Sequence, residues 1–255
     1  MSPAAGSLYL VPNALDLGTE GASTALEDVL PLGVIRTAAR LEHWVAENAK
    51  STRAFLKRID AVVPLGRPLQ SISIVELPRP PKGGQPRTSG SAAALLAPAM
   101  NGQDIGLLSE AGLPGVADPG SDVVRSAHGL GLKVVALPGA SSLLLALAAS
   151  GLNGQSFSFV GYLPVDAGAR SARIRELEAD SRRASQTQLM IETPYRNTAL
   201  LAALIEHLQA STWLAVSCGL TLRDGFTRSE PVAGWRQRPS SLPSDVPAVF
   251  SLLAR

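Results

Sequence analysis

One cysteine, three histidines and a thin supply of aromatic residues limit what this chain can build. Cys218 is the only cysteine among 255 residues, which excludes an intramolecular disulfide and any zinc site made of cysteine pairs. The histidines, His43, His128 and His207, are scattered along the chain, so no metal site is expected. Aromatic residues make up 4% of the sequence, too few for the extended stacking platforms of single-strand-binding proteins. Charge of one sign is also lacking: 23 basic residues face 21 acidic ones, a net charge of +2. That balance carries no electrostatic signature of a nucleic-acid protein, so any RNA contact would rest on local phosphate pairing and shape. No apolar run reaches the ~18 residues of a membrane span. Residues 2–6 lack the basic and apolar regions of a secretory signal, and the expected address is the cytoplasm.

What is present is the rhythm of a folded α/β protein. Hydrophobic residues form 45% of the chain and charged residues 17%, enough to bury one large core or two smaller ones. Apolar runs of strand length alternate with turn residues and stretches of helical length. The clearest unit has a strand at 105–109, a Gly/Pro-rich loop to Gly120, a helix at 122–129 and a second strand at 133–137. Pro138 and Gly139 then turn the chain, and Ser141 is placed to cap a helix at 142–150. The two strands should be parallel neighbours joined by a right-handed crossover. Downstream, strands are expected at 157–162, 188–191, 213–217 and 248–253, with helices at 170–179 and 195–209. An opening strand is expected at 8–11. The stretch 41–59 fits either one helix with a single apolar stripe or a short strand at 44–46 feeding a helix from Ala49. Four prolines and three glycines make 78–91 an exposed loop. The turns at 138–139 and 151–155 both separate sets of βα units, and a boundary at the first gives two α/β domains, 1–138 and 139–255.

Ligands of open parallel sheets bind beyond the carboxyl ends of the strands. That directs attention to the loop Ser109-Glu110-Ala111-Gly112-Leu113-Pro114-Gly115-Val116-Ala117-Asp118-Pro119-Gly120 and to Pro138-Gly139-Ala140-Ser141-Ser142. Small residues let a ligand approach the backbone, and a helix N-terminus with free N–H groups suits a carboxylate. Either loop taken alone reads equally as a tight βα turn. Neither contains a dinucleotide fingerprint or a phosphate loop, which counts against NAD and ATP. Lys50, Arg53, Lys57 and Arg58 form a basic cluster that is either a solvated helix face or a phosphate contact.

The segments SEAGLPGVADPG, PGASS, ASGLNGQSFSFVGYLP and QTQLMIETPYRN, with the opening LYLVP and the stretch ENAKSTRAFLKR, resemble the tetrapyrrole-methylase superfamily. The likeness is to the bacterial branch that contains the 16S ribosomal RNA ribose 2′-O-methyltransferase and its less characterised sister group. It spans nearly the whole chain. The resemblance implies two α/β domains with S-adenosylmethionine in the cleft between them, usually in a homodimer. It implies donor contacts from Pro12, from Glu110, Ala111, Gly112 and Leu113, and from Ser141 and Ser142 at the amino-acid end. Ile191, Cys218 and Ala248 fall where that family holds the adenosine.

Methyl transfer is an in-line displacement, so a protein chiefly aligns the acceptor and keeps the site dry. A ribose hydroxyl is a poor nucleophile and gains from a base or a cation that stabilises the alkoxide. Glu47, Lys50, Arg53, Glu192 and Arg196 are the candidates for that role, each with a salt bridge or a helix-face charge as the alternative reading. The chain also departs from the resemblance. The ribosomal RNA methylases carry Asp and Arg where it has Asn48 and Lys50, and a Pro-Ile-Gly-Asn loop where it has Asn13-Ala14-Leu15-Asp16. An RNA methyltransferase acting on the small ribosomal subunit is therefore the leading expectation. A methylase of a small molecule such as a tetrapyrrole, and a non-catalytic RNA-binding or assembly protein, stand beside it.

Overall fold

The computed structural model describes residues 4–16, 24–78, 90–238 and 240–255. Contacts divide the chain into two compact units, Met1–Ala140 and Ser141–Arg255.

The first unit runs β1 (Ser7–Val11), α1 (Leu26–Val29), α2 (Leu32–Arg40), β2 (His43–Ala46), α3 (Ala49–Val62), β3 (Ser73–Glu76), α4 (Gly90–Ala94), α5 (Ala97–Met100), β4 (Ile105–Leu108), α6 (Ser121–Gly129) and β5 (Lys133–Ala136). Its sheet has the order β3-β2-β4-β1-β5, and every pairing is parallel. The strands at 105–108 and 133–136 are parallel as expected but are not neighbours, because β1 lies between them. The reason is apolarity on both faces. Leu8 and Leu10 pack among α4, α5 and α6, whereas Tyr9 and Val11 pack among α1, α2 and α3. A strand covered on both sides belongs in the middle of such a sheet. The half-exposed β5 and β3 take the edges.

The ambiguous stretch 41–59 resolves as strand then helix, and Asn48 is the residue that separates them. Its Oδ1 accepts from the backbone N–H groups of Lys50 at 2.8 Å and Ser51 at 3.4 Å, which caps α3 and satisfies two otherwise orphaned donors. The apolar stripe remains, with Phe55, Leu56 and Ile59 buried from α3 and Trp44 from β2. Trp44 meets Phe55 edge-on, with ring centroids 6.2 Å apart. Most of the loop expected at 78–91 lies outside the described residues. Gly90 and Ser91, expected within it, instead open α4, where Ala92, Ala93 and Ala94 favour a helix.

The second unit comprises α7 (Ser142–Ser150), β6 (Phe157–Tyr162), α8 (Ala167–Ala184), β7 (Thr187–Glu192), α9 (Asn197–His207), β8 (Trp213–Cys218), β9 (Phe226–Pro231), α10 (Val232–Gln237) and β10 (Ala248–Leu253). Its sheet has the order β6-β7-β10-β8-β9, and only β6 and β7 pair in parallel. α8, α9 and α10 cover one face, and α7 packs on the other through Leu143, Ala146 and Leu147 against Leu189 and Val249. The helix expected at 195–209 is two elements. A 3-10 turn at Pro194–Arg196 precedes α9, because Glu192 draws both Thr193 and Arg196 back onto its own carboxylate. α8 extends further than 170–179, opened by Asp166, whose side chain accepts from Ala169 N–H at 2.8 Å. β9 was not expected from its polar sequence. It is fastened by Arg228, whose guanidinium lies 3.9 Å from the ring centroid of buried Trp235. Among the described residues no helix is long and apolar enough to cross a membrane.

Gly106 in β4 shows how tightly the first core is packed. A Cβ at this position would lie 2.7 Å from the Trp44 ring. Gly106→Ala is therefore expected to destabilise the protein by about 1–3 kcal/mol through overpacking, read as a lower midpoint in urea. An unchanged midpoint would mean that Trp44 can move aside.

Candidate active site

Strand register builds the first half of the site. Val11 pairs with Leu108, and Leu108 with Ala46, so the next residues, Pro12, Ser109 and Glu47, emerge side by side from the carboxyl ends of β1, β4 and β2. The connection after β1 leads to helices on one face of the sheet, and that after β4 leads to α6 on the other. Two neighbouring strands whose connections diverge leave a crevice between them, the place where open α/β sheets bind ligands. Here one side chain spans it. Asn13, buried at 7% exposure, exchanges backbone hydrogen bonds with Gly112 at 2.9 and 3.2 Å. Its Nδ2 also donates to the carbonyls of Ser109 at 3.2 Å and Glu110 at 2.9 Å. Gly112 adopts φ +66°, a left-handed conformation that favours glycine. The Pro138-Gly139 turn closes on the same place, since a Cβ on Gly139 would lie 2.3 Å from Pro12.

Three carboxylates gather there. Glu47 Oε2 accepts the backbone N–H of Glu110 at 2.9 Å, and Glu110 Oε1 accepts from the Ser51 hydroxyl at 3.0 Å. Asp118 completes the group. Its carboxyl is pushed up to about 6, chiefly by burial and next by the charge of Glu47, with Ser109 hydrogen bonding pulling the other way. Glu47 is also raised, first by burial, with the Glu110 N–H opposing and the Glu110 charge adding. Lys50 and Arg53 stand exposed on the first turns of α3, and Arg53 donates to its own helix, at Ala49 O. Arg58 is taken by buried Asp16 at 2.9 Å. Of the four basic residues in that cluster, it alone has a structural ion pair among the described residues.

Hydrogen bonding narrows the implied donor contacts. The N–H of Gly112 is committed to Asn13 and that of Glu110 to Glu47. The N–H groups of Ala111 and Leu113 have no protein partner among the described residues. Ser141 holds the N-cap position of α7 but makes no capping hydrogen bond, contrary to its expected capping role. With φ −127° and ψ 121° its backbone fits a cap, yet its hydroxyl is not spent on the helix.

In the second unit, antiparallel pairing places Ala248 opposite both Glu192 and Cys218. The start of β10 is thereby level with the carboxyl ends of β7 and β8, and Ile191, Ala248 and Cys218 share one edge of the sheet. Burial pushes the Cys218 thiol up, and Asp245 adds to it, so the residue is a packed thiol and not a nucleophile. Glu192 and Arg196, expected as candidate catalytic groups, are bound to each other. Glu192 Oε1 accepts Arg196 Nη2 at 2.6 Å and Nε at 3.0 Å, as well as Thr193 N–H at 2.7 Å.

Each unit is thus a sheet dressed with helices, the first with its acidic crevice at the strand ends and the second with a ledge formed by three strand ends. The chain belongs to the tetrapyrrole (corrin/porphyrin) methylases, whose family model matches residues 28–226. It is 39% identical over 127 residues to the ribosomal RNA small subunit methyltransferase I of Mesorhizobium japonicum, a match covering 50% of this chain and 42% of that one. The enzyme of the same name from Streptococcus pyogenes is 31% identical over 191 residues, covering 75% of this chain and 57% of the other. The matched stretch therefore spans only about half the length of these curated relatives. Among solved structures, uroporphyrin-III-C-methyltransferase from Thermus thermophilus superposes with a TM-score of 0.51 at 20% identity, covering 97% of this chain and 92% of that one.

Asn13 and Asp118 were not singled out among the sequence candidates. Asn13 stood in a loop marked only as a departure from the resemblance, and Asp118 lay within a quoted motif without a charge partner in sequence. Because the folded protein holds Asp118 at about 6, above the ordinary value near 3.9, its ionisation opposes folding. That contribution to stability is fully present below about pH 4 and is lost as pH rises through about 6. Asp118→Asn is accordingly expected to melt higher than the wild type at neutral pH, with the difference vanishing below about pH 4. Equal melting temperatures across the range would show that the carboxylate is not desolvated.

Proposed function

We propose that this chain is an S-adenosylmethionine-dependent methyltransferase that methylates a ribose 2′-oxygen of small-subunit ribosomal RNA. The observation that carries the donor is the crevice of the first unit, where Glu47, Glu110 and Asp118 meet uncommitted backbone N–H groups. What supports the acceptor is the likeness to relatives named as small-subunit ribosomal RNA methyltransferases, over 75% of this chain in one case.

The residues present fit the donor chemically. Three carboxylates suit a ligand that carries a sulfonium and an ammonium cation, and the N–H groups of Ala111 and Leu113 can receive its polar edges. The hydroxyl of Ser141, which has no partner among the described residues, and the first N–H groups of α7, at Ser142, suit its carboxylate. Half-buried Ile191, with the backbone of Ala248 and Cys218 at the same end of the sheet, suits the adenosine. When bound, S-adenosylmethionine supplies an electrophilic methyl group. This chain's own residues then hold the acceptor oxygen in line and take its proton. Asp118, largely ionised at neutral pH yet poorly solvated, is suited to accept that proton, while Glu47 holds the Glu110 peptide in place. Lys50 and Arg53 supply cations for RNA phosphates at the start of α3. The cytoplasm, where ribosomal subunits are made, is the fitting compartment. Exposed Leu144 and Leu145 on α7 support a homodimer.

The test is transfer of a labelled methyl group from S-adenosylmethionine to RNA of small ribosomal subunits. Incorporation that ribonuclease removes and alkali leaves on a ribose supports the proposal. Incorporation into a ribonuclease-resistant small molecule would move the acceptor to the tetrapyrrole class. No incorporation into any fraction of a cell extract would favour a non-catalytic RNA-binding role.

A further inference from the structure

Aromatic residues are scarce in this chain, yet two of its three tyrosines are spent on the surface of the second unit. Tyr162 ends β6 at 56% exposure, and Tyr195 follows β7 at 75%. β6 and β7 are neighbouring parallel strands, so both side chains lie at the same end of the sheet. The pairing register shifts between Phe159 and Tyr162, and Gly161 within the shift has φ +72°. Such a bulge re-aims the residue that follows it, here Tyr162, which pairs with Ile191.

Arg196 lies beside Tyr195. Its guanidinium carbon lies 5.9 Å from the Tyr195 ring centroid, and both Tyr195 and Tyr162 act electrostatically upon it. The Arg196 fork is held on one side, where Nε and Nη2 both donate to buried Glu192. Nη1 has no protein partner among the described residues and remains available as a donor. An arginine pinned by a buried carboxylate is rigid as well as charged. Exposed rings beside a rigid guanidinium are poorly matched to an aliphatic partner. They match a flat, electron-rich group with acceptors on its edge, which is the chemistry of an unpaired nucleobase.

We propose that Tyr162, Tyr195 and Arg196 form a stacking clamp for one unpaired base of a single-stranded RNA segment. This inference rests on the RNA reading of the site and adds a recognition element in the second unit. The rings stack on the base, while Arg196 Nη1 donates to its edge or to the adjoining phosphate. One base held between side chains does not require the aromatic-rich platform that the composition excludes.

The test is fluorescence anisotropy with an unstructured, labelled oligoribonucleotide of roughly 12 nucleotides, run beside calorimetric titration of S-adenosylmethionine on the same full-length preparations. Tyr162→Ala and Tyr195→Ala are each expected to weaken RNA binding about tenfold, whereas Tyr162→Phe and Tyr195→Phe stay within about twofold. Affinity for S-adenosylmethionine should be unchanged in all four, which also establishes that the variants are folded. Wild-type RNA binding that survives both alanine variants would overturn the clamp and leave the RNA reading standing. Loss of S-adenosylmethionine affinity in parallel would overturn it by assigning the tyrosines to the donor's adenine. Failure of the wild type itself to bind RNA would overturn the RNA reading and the clamp together.

Discussion

The hydrogen bonds of Asn13 are the constraint on which the first unit's site depends. β1 and β4 are neighbours whose connections leave toward opposite faces of the sheet, and without a tie the two loops would separate. Asn13 pairs its backbone with Gly112 and its side-chain amide with the carbonyls of Ser109 and Glu110. Its Oδ1 accepts the N–H of Ala14 at 2.9 Å, which holds the amide in that orientation. Four bonds from one buried residue across the crevice make the loop after β4 rigid. That rigidity aims Glu110 outward and keeps the N–H groups of Ala111 and Leu113 unspent. It also turns the Glu110 peptide so that Glu47 on the neighbouring strand can accept it.

A second consequence is electrostatic. The fold places Glu47, Glu110 and Asp118 close together, and the price is visible in the raised protonation of Asp118 and Glu47. No lysine or arginine forms an ion pair with any of the three among the described residues. Arg58, on α3, is committed to buried Asp16. A site that concentrates negative charge without its own counter-ion favours a cationic ligand, and binding such a ligand relieves the mutual repulsion. The second unit follows the opposite rule. There Glu192 and Arg196 neutralise each other.

How much of this is legible in sequence follows from which forces act locally. In the first sheet β1, β4 and β5 could be read, because β1 and β4 are apolar on both faces and the turns at Gly120 and Pro138 punctuate them, whereas β2 was one of two readings and the largely exposed β3 was not expected. Their order could not, since it depends on burial of both faces of β1 by helices far apart in the chain. Asn48 is ambiguous in a periodicity argument, because the apolar stripe continues through it. Only its role as a cap divides β2 from α3. β9 was hidden because an edge strand of Phe-Thr-Arg-Ser-Glu-Pro is held by its pairing with β8 and by Arg228 against Trp235, not by its own apolarity. Within the candidate site, Glu47 and Glu110 were readable from motifs. Asn13 and Asp118 were not, for their significance lies in partners about a hundred residues away for Asn13 and on another strand for Asp118.

The proposed chemistry depends on binding of a cationic methyl donor in the acidic crevice of the first unit. It is tested most directly by isothermal titration of the protein with S-adenosylmethionine and with S-adenosylhomocysteine, which lacks the sulfonium charge. Binding of both with affinities near micromolar, roughly −8 kcal/mol, and a preference for the charged ligand that fades as pH falls below about 6 with protonation of Asp118, is the predicted result. No heat of binding from either ligand up to millimolar concentration would contradict it.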